Sequence, residues 1–197
     1  MTRPARRVLL ATRNEGKVGE LERILAPYGL SLEGARYDPG PERGTSFEAN
    51  ALAKAQEGVA QTGLPSVADD SGLCVDALNA MPGILSARWA GRHGDDLANL
   101  HLVLGQLSDV VDRGAAFVCA AAYALPDGRS EVVRGELRGS LLREPRGTGG
   151  FGYDPIFVPV GMSVTSAELS PEMKDSISHR GHAFRALAPL LAAALQQ

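Results

Sequence analysis

At 197 residues, 44% hydrophobic and 22% charged, the chain has the length and balance of one well-filled globular core with room for two lobes. A net charge of -3 excludes the broad basic surface of a general nucleic-acid or membrane-surface binder, so an anionic ligand must be met by local cations. Cys74 and Cys119 sit in apolar β-like runs and are expected to be thiols in a reducing compartment, the cytoplasm, since the longest apolar run, Ala115 to Leu125, is too short to span a bilayer.

Arg3, Arg6 and Arg7 precede Val8-Leu9-Leu10-Ala11, an apolar run too short for a signal peptide and suited to a buried first strand. A polar turn, Thr12-Arg13-Asn14-Glu15-Gly16-Lys17, follows, and Val18, Leu21, Ile24, Leu25 and Tyr28 then recur at helical spacing. Asn14 is the expected N-cap, and Pro27 with Gly29 marks the end. Strand, turn and helix N-terminus form a generic anion site, because unpaired N–H groups and the dipole both face the turn. Lys17 opposes that dipole, which an anion between them would explain. Only three of the 20 basic residues are lysine, Lys17, Lys54 and Lys174, which marks each as a candidate for a place needing a compact ammonium.

Leu30 to Tyr37 reads as a weak strand, and Pro39-Gly40-Pro41-Glu42 as a loop. Thr45-Ser46-Phe47-Glu48 looks like a capping box, with Thr45 as N-cap, opening a helix whose stripe is Phe47, Ala51, Ala55 and Val59 and whose end is Gly63 with Pro65. Asn50 and Lys54 share one face of that helix, either as a polar edge toward a ligand or as an exposed pair.

Ser66-Val67-Ala68-Asp69-Asp70-Ser71-Gly72-Leu73 delivers two adjacent carboxylates to an expected turn, where Gly72 lets another group approach the backbone. Extended backbone sends successive side chains to opposite faces, so Asp69 and Asp70 cannot form a shared-proton dyad unless the chain is already turning there, and at a strand end both can serve one cation from two sides. Oxygen-only ligands beside a phosphate suit magnesium, although Asp-Asp-Ser-Gly is equally ordinary turn chemistry. Met81-Pro82-Gly83 is a further turn, Asp95 caps a helix built on Leu97, Leu100, Val103, Leu104 and Leu107, and His93 and His101 are loop and surface residues. Ala115 to Leu125, Pro126-Asp127-Gly128 and Glu131 to Arg138 form a hairpin with one charged face.

Gly147-Thr148-Gly149-Gly150-Phe151-Gly152 matches G-x-G-x-x-G formally, but Tyr153 to Pro159 is expected to be extended, with Asp154 kept out of the helical region by Pro155. A dinucleotide fingerprint needs a helix there. The alternatives are a loop that lies against a ligand, stacking an aromatic ring on a base, or a connector that tucks Phe151 and Tyr153 into the core. Ser170 and Pro171 open a short helix, His179-Arg180 is placed at a turn, and a last helix runs from His182 to about Leu195, kinked or divided by Pro189.

Three lysines beside turns, two acidic clusters and an aromatic glycine loop together point to a nucleoside triphosphate site. Thr12 to Lys17, Ala68 to Leu73, Pro82 to Arg88, Gly149 to Pro155 and Ser178 to Gly181 resemble, in order and over nearly the whole chain, the signature blocks of the inosine/xanthosine triphosphate pyrophosphatase family. The resemblance implies one domain over 1–197 with an elongated mixed α/β fold, two lobes flanking an active-site cleft, and a homodimer. It implies magnesium-dependent hydrolysis of ITP, dITP and XTP to the monophosphate and pyrophosphate. By position, Thr12, Asn14 and Lys17 would hold phosphates, and Arg13, Glu15, Gly16 and Ser71 would belong to the same substrate-binding set. Glu42, Asp69 and Asp70 would hold the metal, and Asp70, Lys17 and Lys54 would be catalytic, with Asp70 as the base. Phe151, Gly152, Tyr153, Asp154, Lys174, His179 and Arg180 would contact the nucleoside. Many relatives place a glutamate directly before the asparagine; here Ala49 stands there, which leaves Glu48 only a capping role. The rival readings are a Maf-like pyrophosphatase of other base preference and a non-catalytic nucleotide sensor.

Overall fold

The computed structural model describes residues 6–12, 15–35, 37 and 40–196, without the side chains of residues 15–17, 19 and 20. Arg13 and Asn14, with its expected cap, and the side chains of Glu15 and Lys17 therefore lie outside the described residues. The elements are β1 (Arg6–Leu10), α1 (Glu15–Leu25), β2 (Leu30–Gly34), α2 (Phe47–Thr62), β3 (Ser66–Val75), β4 (Met81–Pro82), α3 (Asp96–Gln106), β5 (Gly114–Ala124), β6 (Ser130–Leu141), β7 (Phe157–Pro159), α4 (Pro171–Ile177) and α5 (His179–Ala194). Seven strands form one sheet in the order β2-β1-β3-β5-β6-β7, with β4 on β3. β1 runs parallel to β2 and β3, whereas β4 and β7 are antiparallel to β3 and β6, so the fold is mixed α/β as expected.

The chain gathers into two compact units, and β3, β5 and β6 contribute residues to both. One unit holds the described residues up to Asp70, Cys119–Gly135 and the described residues from Arg180. Its core joins Val8 and Leu10 of β1, Leu21 and Leu25 of α1, Val67 of β3, and Phe184, Leu187 and Leu191 of α5. The apolar period of α1 and α5 thus faces strands that are apolar along their buried stretch. The other unit holds Ser71–Val118 and Glu136–His179. Its core is Leu73, Val75, Leu100, Val103, Leu107, Phe117, Leu141, Ile156 and Phe157, with the Phe117 and Phe157 rings 4.4 Å apart.

Several local expectations are corrected. The strand β3 runs straight through Asp69-Asp70-Ser71-Gly72 instead of turning. Ser86 explains this: its hydroxyl accepts from Leu73 N at 2.9 Å, and a Cβ at Gly72 would lie 2.4 Å from both Ser86 Oγ and the Gly83 carbonyl oxygen. Gly72 is therefore needed for a close approach, as expected, and packing overrides turn preference. The N-cap of α2 is Ser46, which accepts from Ala49 N, and Glu48 pairs instead with Arg134 at 3.2 Å. Asp154–Ile156 is a single 3₁₀ turn before β7, with Pro155 in its first turn, where the fixed φ of proline is tolerated. Further, α5 begins at His179, three residues before the expected start, because burial of Ala183, Phe184 and Leu187 outweighs the weak helix preference of Gly181; the helix continues through Pro189.

The expected turn at Met81-Pro82-Gly83 is instead the strand β4, paired with β3, followed by a 3₁₀ helix from Gly83. Other expectations hold. β2 is present though it ends at Gly34, Asp95 caps α3 by accepting from Ala98 N, and Ser170 caps α4 by accepting from Met173 N. Neither cysteine is in a disulfide. Among the described residues no helix is long and apolar enough to cross a membrane.

Candidate active site

In the first unit, the alternation of β3 sends its two carboxylates to different partners. Asp70 Oδ2 accepts from Asn50 Nδ2 at 2.9 Å, and Asp70 Oδ1 lies 3.5 Å from Lys54 Nζ. Lys54 donates also to Glu42 Oε1 at 2.8 Å. Asp69 Oδ2 accepts from Arg180 Nε at 3.3 Å, with Cys119 Sγ 3.9 Å away. Asp69, Asp70, Asn50 and Arg180 are all buried. Asn50 and Lys54 are thus the polar edge that their helical spacing allowed, one turn apart on α2.

That edge also holds the loop carrying Glu42. Asn50 Oδ1 accepts from Gly44 N at 2.7 Å, while the carboxylate of Glu57, one turn beyond Lys54, accepts from Gly40 N at 3.1 Å. One amide therefore links the loop to Asp70, and its orientation is set by an N–H on one side and a carboxylate on the other.

Among the described residues, three carboxylates, Glu42, Asp69 and Asp70, meet the cations Lys54 and Arg180. Burial works against the Lys54 ammonium, but attraction to Asp70, Asp69 and Glu42 and the hydrogen bond to Glu42 outweigh it and hold its pKa above the ordinary lysine value. Among the described residues no three His, Cys, Asp or Glu side chains are gathered as a ready metal shell. Glu42 and Asp70 meet through Lys54, and Asp69 is turned to Arg180. Oxygen donors in this number fit a hard cation such as magnesium, which takes one or two carboxylates and fills its shell with water and phosphate oxygens. Thr12, directly after β1, and Ser71, on β3, are half-buried.

The second unit holds a different constellation. Phe151 N donates to Asp154 Oδ2 at 2.8 Å, and the Lys174 ammonium reaches the same oxygen at 2.5 Å. Lys174 Nζ lies 4.9 Å from the centre of the Phe151 ring, close enough for a cation–π contact, and that ring is 46% exposed. Tyr153 and Asp154 are buried. The Tyr153 hydroxyl donates to Ser86 O at 2.9 Å, and burial first, then the Asp96 charge, pushes its pKa up, so it stays a phenol. Gly152 N donates to Asp96 Oδ2 at 2.8 Å. His179 stacks on Phe117, with ring centres 5.0 Å apart. The two readings of the glycine loop thus divide by residue, Tyr153 belonging to the core and Phe151 to the surface.

The sequence pattern assigns no site role to Glu57, Ser86 or Asp96, and it leaves Asn50 as either a polar edge or an exposed pair. For Asp96 the available signal was a second acid after the Asp95 cap, which helix-start chemistry already accounts for. A capping box does occur, at Thr165 to Glu168, where the T-x-x-E pattern was open to reading; Glu168 also holds Arg146.

Comparison with known proteins matches these features to one group. The model of the Ham1 family matches residues 8–190. A dITP/XTP pyrophosphatase of Streptomyces coelicolor is 58% identical over 193 residues, covering 94% of this chain and 96% of that protein. The crystal structure of a nucleoside-triphosphatase / dITP/XTP pyrophosphatase from Mycobacterium abscessus aligns with a TM-score of 0.77 at 57% identity, over 94% of this chain and 99% of the other. A HAM1 protein from Coxiella burnetii aligns with a TM-score of 0.86 at 38% identity, over 95% and 99%.

Proposed function

The chain belongs to the Ham1 family, and from that premise we propose that residues 1–197 act as a single pyrophosphatase domain hydrolysing dITP, ITP and XTP to the nucleoside monophosphate and pyrophosphate. The observation that carries the reading is the buried network in which Asn50 and Lys54 hold Asp70, with Glu42 on the same ammonium. A non-catalytic nucleotide binder has no use for a carboxylate oriented in this way. A hydrolase needs one to take a proton from water.

In this reading Asp70 receives the proton of the attacking water, with its Oδ2 edge fixed by Asn50. Lys54 and Lys17 place ammonium charge against the phosphates, and Thr12, Arg13, Asn14, Glu15, Gly16 and Ser71 bind them by side chain and backbone N–H. When bound, magnesium would supply the charge neutralisation that a polyanionic leaving group requires, and Glu42, Asp69 and Asp70 are the residues that would hold it. Phe151 stacks on the base, while Gly152, Asp154 and Lys174 line its edge and sugar, Tyr153 adding only its backbone because its ring is in the core. His179 and Arg180 present donors to the 6-oxo group. An adenine amino group there sets donor against donor, and leaving such groups unpaired is costly enough for strong rejection. The protein works as a homodimer in the cytoplasm, clearing the nucleotide pool.

The test is pyrophosphate release from ITP, XTP, dITP, GTP and ATP, with magnesium and with chelator. Magnesium-dependent release confined largely to ITP, dITP and XTP is expected. Equal use of ATP and GTP would remove the pool-cleansing role, and binding of ITP without release would mark a nucleotide sensor.

A further inference from the structure

The exposed ring of Phe151 owes its direction to the backbone on either side of it. Phe151 N is held by Asp154, from the end of the same loop, and Gly152 N by Asp96, from the first turn of α3 and 56 residues away in sequence. Gly150 and Gly152 have φ of 71° and 61°, conformations that side-chain-bearing residues rarely adopt. A segment this rich in glycine has few side chains with which to brace itself, so its pose depends on what grips its amides. Gly149 N on Ala167 O and the Tyr153 hydroxyl on Ser86 O fix the two ends of the segment. Asp96 is the carboxylate from a separate element that holds the middle.

Helix-start charge accounts for an acid at this position of α3, but not for the bond that this one makes to the loop. Asp95 already caps that helix through Ala98 N at 3.2 Å, so the Asp96 carboxylate is left to accept from the loop. We infer that Asp96 is a positioning residue for base recognition: it fixes the Gly152 amide so that the Phe151 ring, with the Lys174 ammonium beside it, stands ready as a stacking platform. The inference rests on the pyrophosphatase reading above and adds a residue that does not itself touch the nucleotide. A preordered platform lowers the ordering cost of binding, and the benefit appears in affinity rather than in the chemical step.

A helix-dipole role and a positioning role predict opposite behaviour for the asparagine variant. Asp96→Asn loses the charge that favours a helix N-terminus but keeps an oxygen that accepts from Gly152 N; Asp96→Ala loses both. The experiment measures ITP kinetics and calorimetric binding of inosine 5′-monophosphate, which needs no turnover, together with thermal midpoints, for the three proteins. Asp96→Ala is expected to raise both KM for ITP and Kd for the monophosphate by about tenfold, with kcat changed far less, the scale of a lost charge-assisted hydrogen bond. Asp96→Asn is expected to stay within about threefold of the parent in both. Parent-like binding by Asp96→Ala, equal weakening in the two variants, or a fall confined to kcat would each overturn the inference while leaving the pyrophosphatase reading intact. A parent protein that neither hydrolyses ITP nor binds the monophosphate would overturn both.

Discussion

The two constellations use charge in opposite ways. Around Asp69 and Asp70 the groups are buried or, in Lys54, half-buried, they stand on regular elements, β3, α2 and α5, and charged side chains answer one another. Around Phe151 the backbone is a loop, its amides are the donors, and buried Asp154 spreads one carboxylate over an N–H and an ammonium while the aromatic ring stays outside. Fixed charges held by strand and helix suit chemistry that must meet phosphate and a hard cation at set distances. A loop gripped by its amides suits recognition of a flat base, where shape and a few hydrogen bonds decide. If the division is real, damage to the first region should appear in turnover and stability, and damage to the second in affinity.

The largest expected effect tests the first half of that statement. Asp70→Asn should lower turnover on ITP by about 100-fold or more, the scale of losing a general base. Its thermal midpoint should hold or rise, because the change removes one of three crowded carboxylates. Near-normal turnover would take Asp70 out of the role. Lys54→Met should do the reverse to stability. It removes the ammonium shared by Glu42 and Asp70, so unfolding in denaturant should show a loss of about 2 kcal/mol, on the scale of hydrogen bonds between charged groups. The loss is below that of a fully enclosed pair because 15% of the Lys54 side chain is exposed.

In the second region, Lys174→Ala removes the partner of buried Asp154 and the cation beside Phe151 together. The expected result is a rise in KM for ITP of about tenfold with a smaller change in kcat. A kcat-only effect would erase the contrast between the regions.

The sequence carried much of the first region and less of the second, for a physical reason. Helical spacing put Asn50 and Lys54 on one face of α2, and strand alternation separated Asp69 from Asp70; both follow from fixed periods. What periodicity cannot supply is contact at long range. The grip of Asp96 on Gly152, and the Ser86 hydroxyl that keeps β3 straight through Gly72, join residues 56 and 13 positions apart. The start of α5 was misplaced for a related reason, since Gly181 reads locally as a breaker and only the buried face of Ala183, Phe184 and Leu187 overrides it. At α2 the error was one residue: Thr45 and Ser46 are both good caps, and the choice fell to whichever hydroxyl met Ala49 N.

The smallest effect separates burial from charge as the cause of the contrast. Glu48 stands on α2 near Asn50 and pairs with Arg134, but its side chain is 39% exposed and that of Arg134 50%. Burial raises its pKa, and hydrogen bonds from backbone, Arg134 and Ser46 more than reverse this, leaving it below the ordinary value of 4.5. A lowered folded-state pKa means that the stabilisation is present above 4.5 and fades as the pH falls through the lower folded value. Glu48→Gln should therefore cost about 0.5 kcal/mol at neutral pH, the scale of an exposed ion pair, with turnover on ITP unaltered. The stability curves of variant and parent should merge as acid protonates Glu48 in the parent. If Glu48→Gln instead cost as much as Lys54→Met, proximity of charge alone would govern α2. The burial of Asp70 would then no longer be what distinguishes its network from the ion pair that Glu48 makes on the same helix.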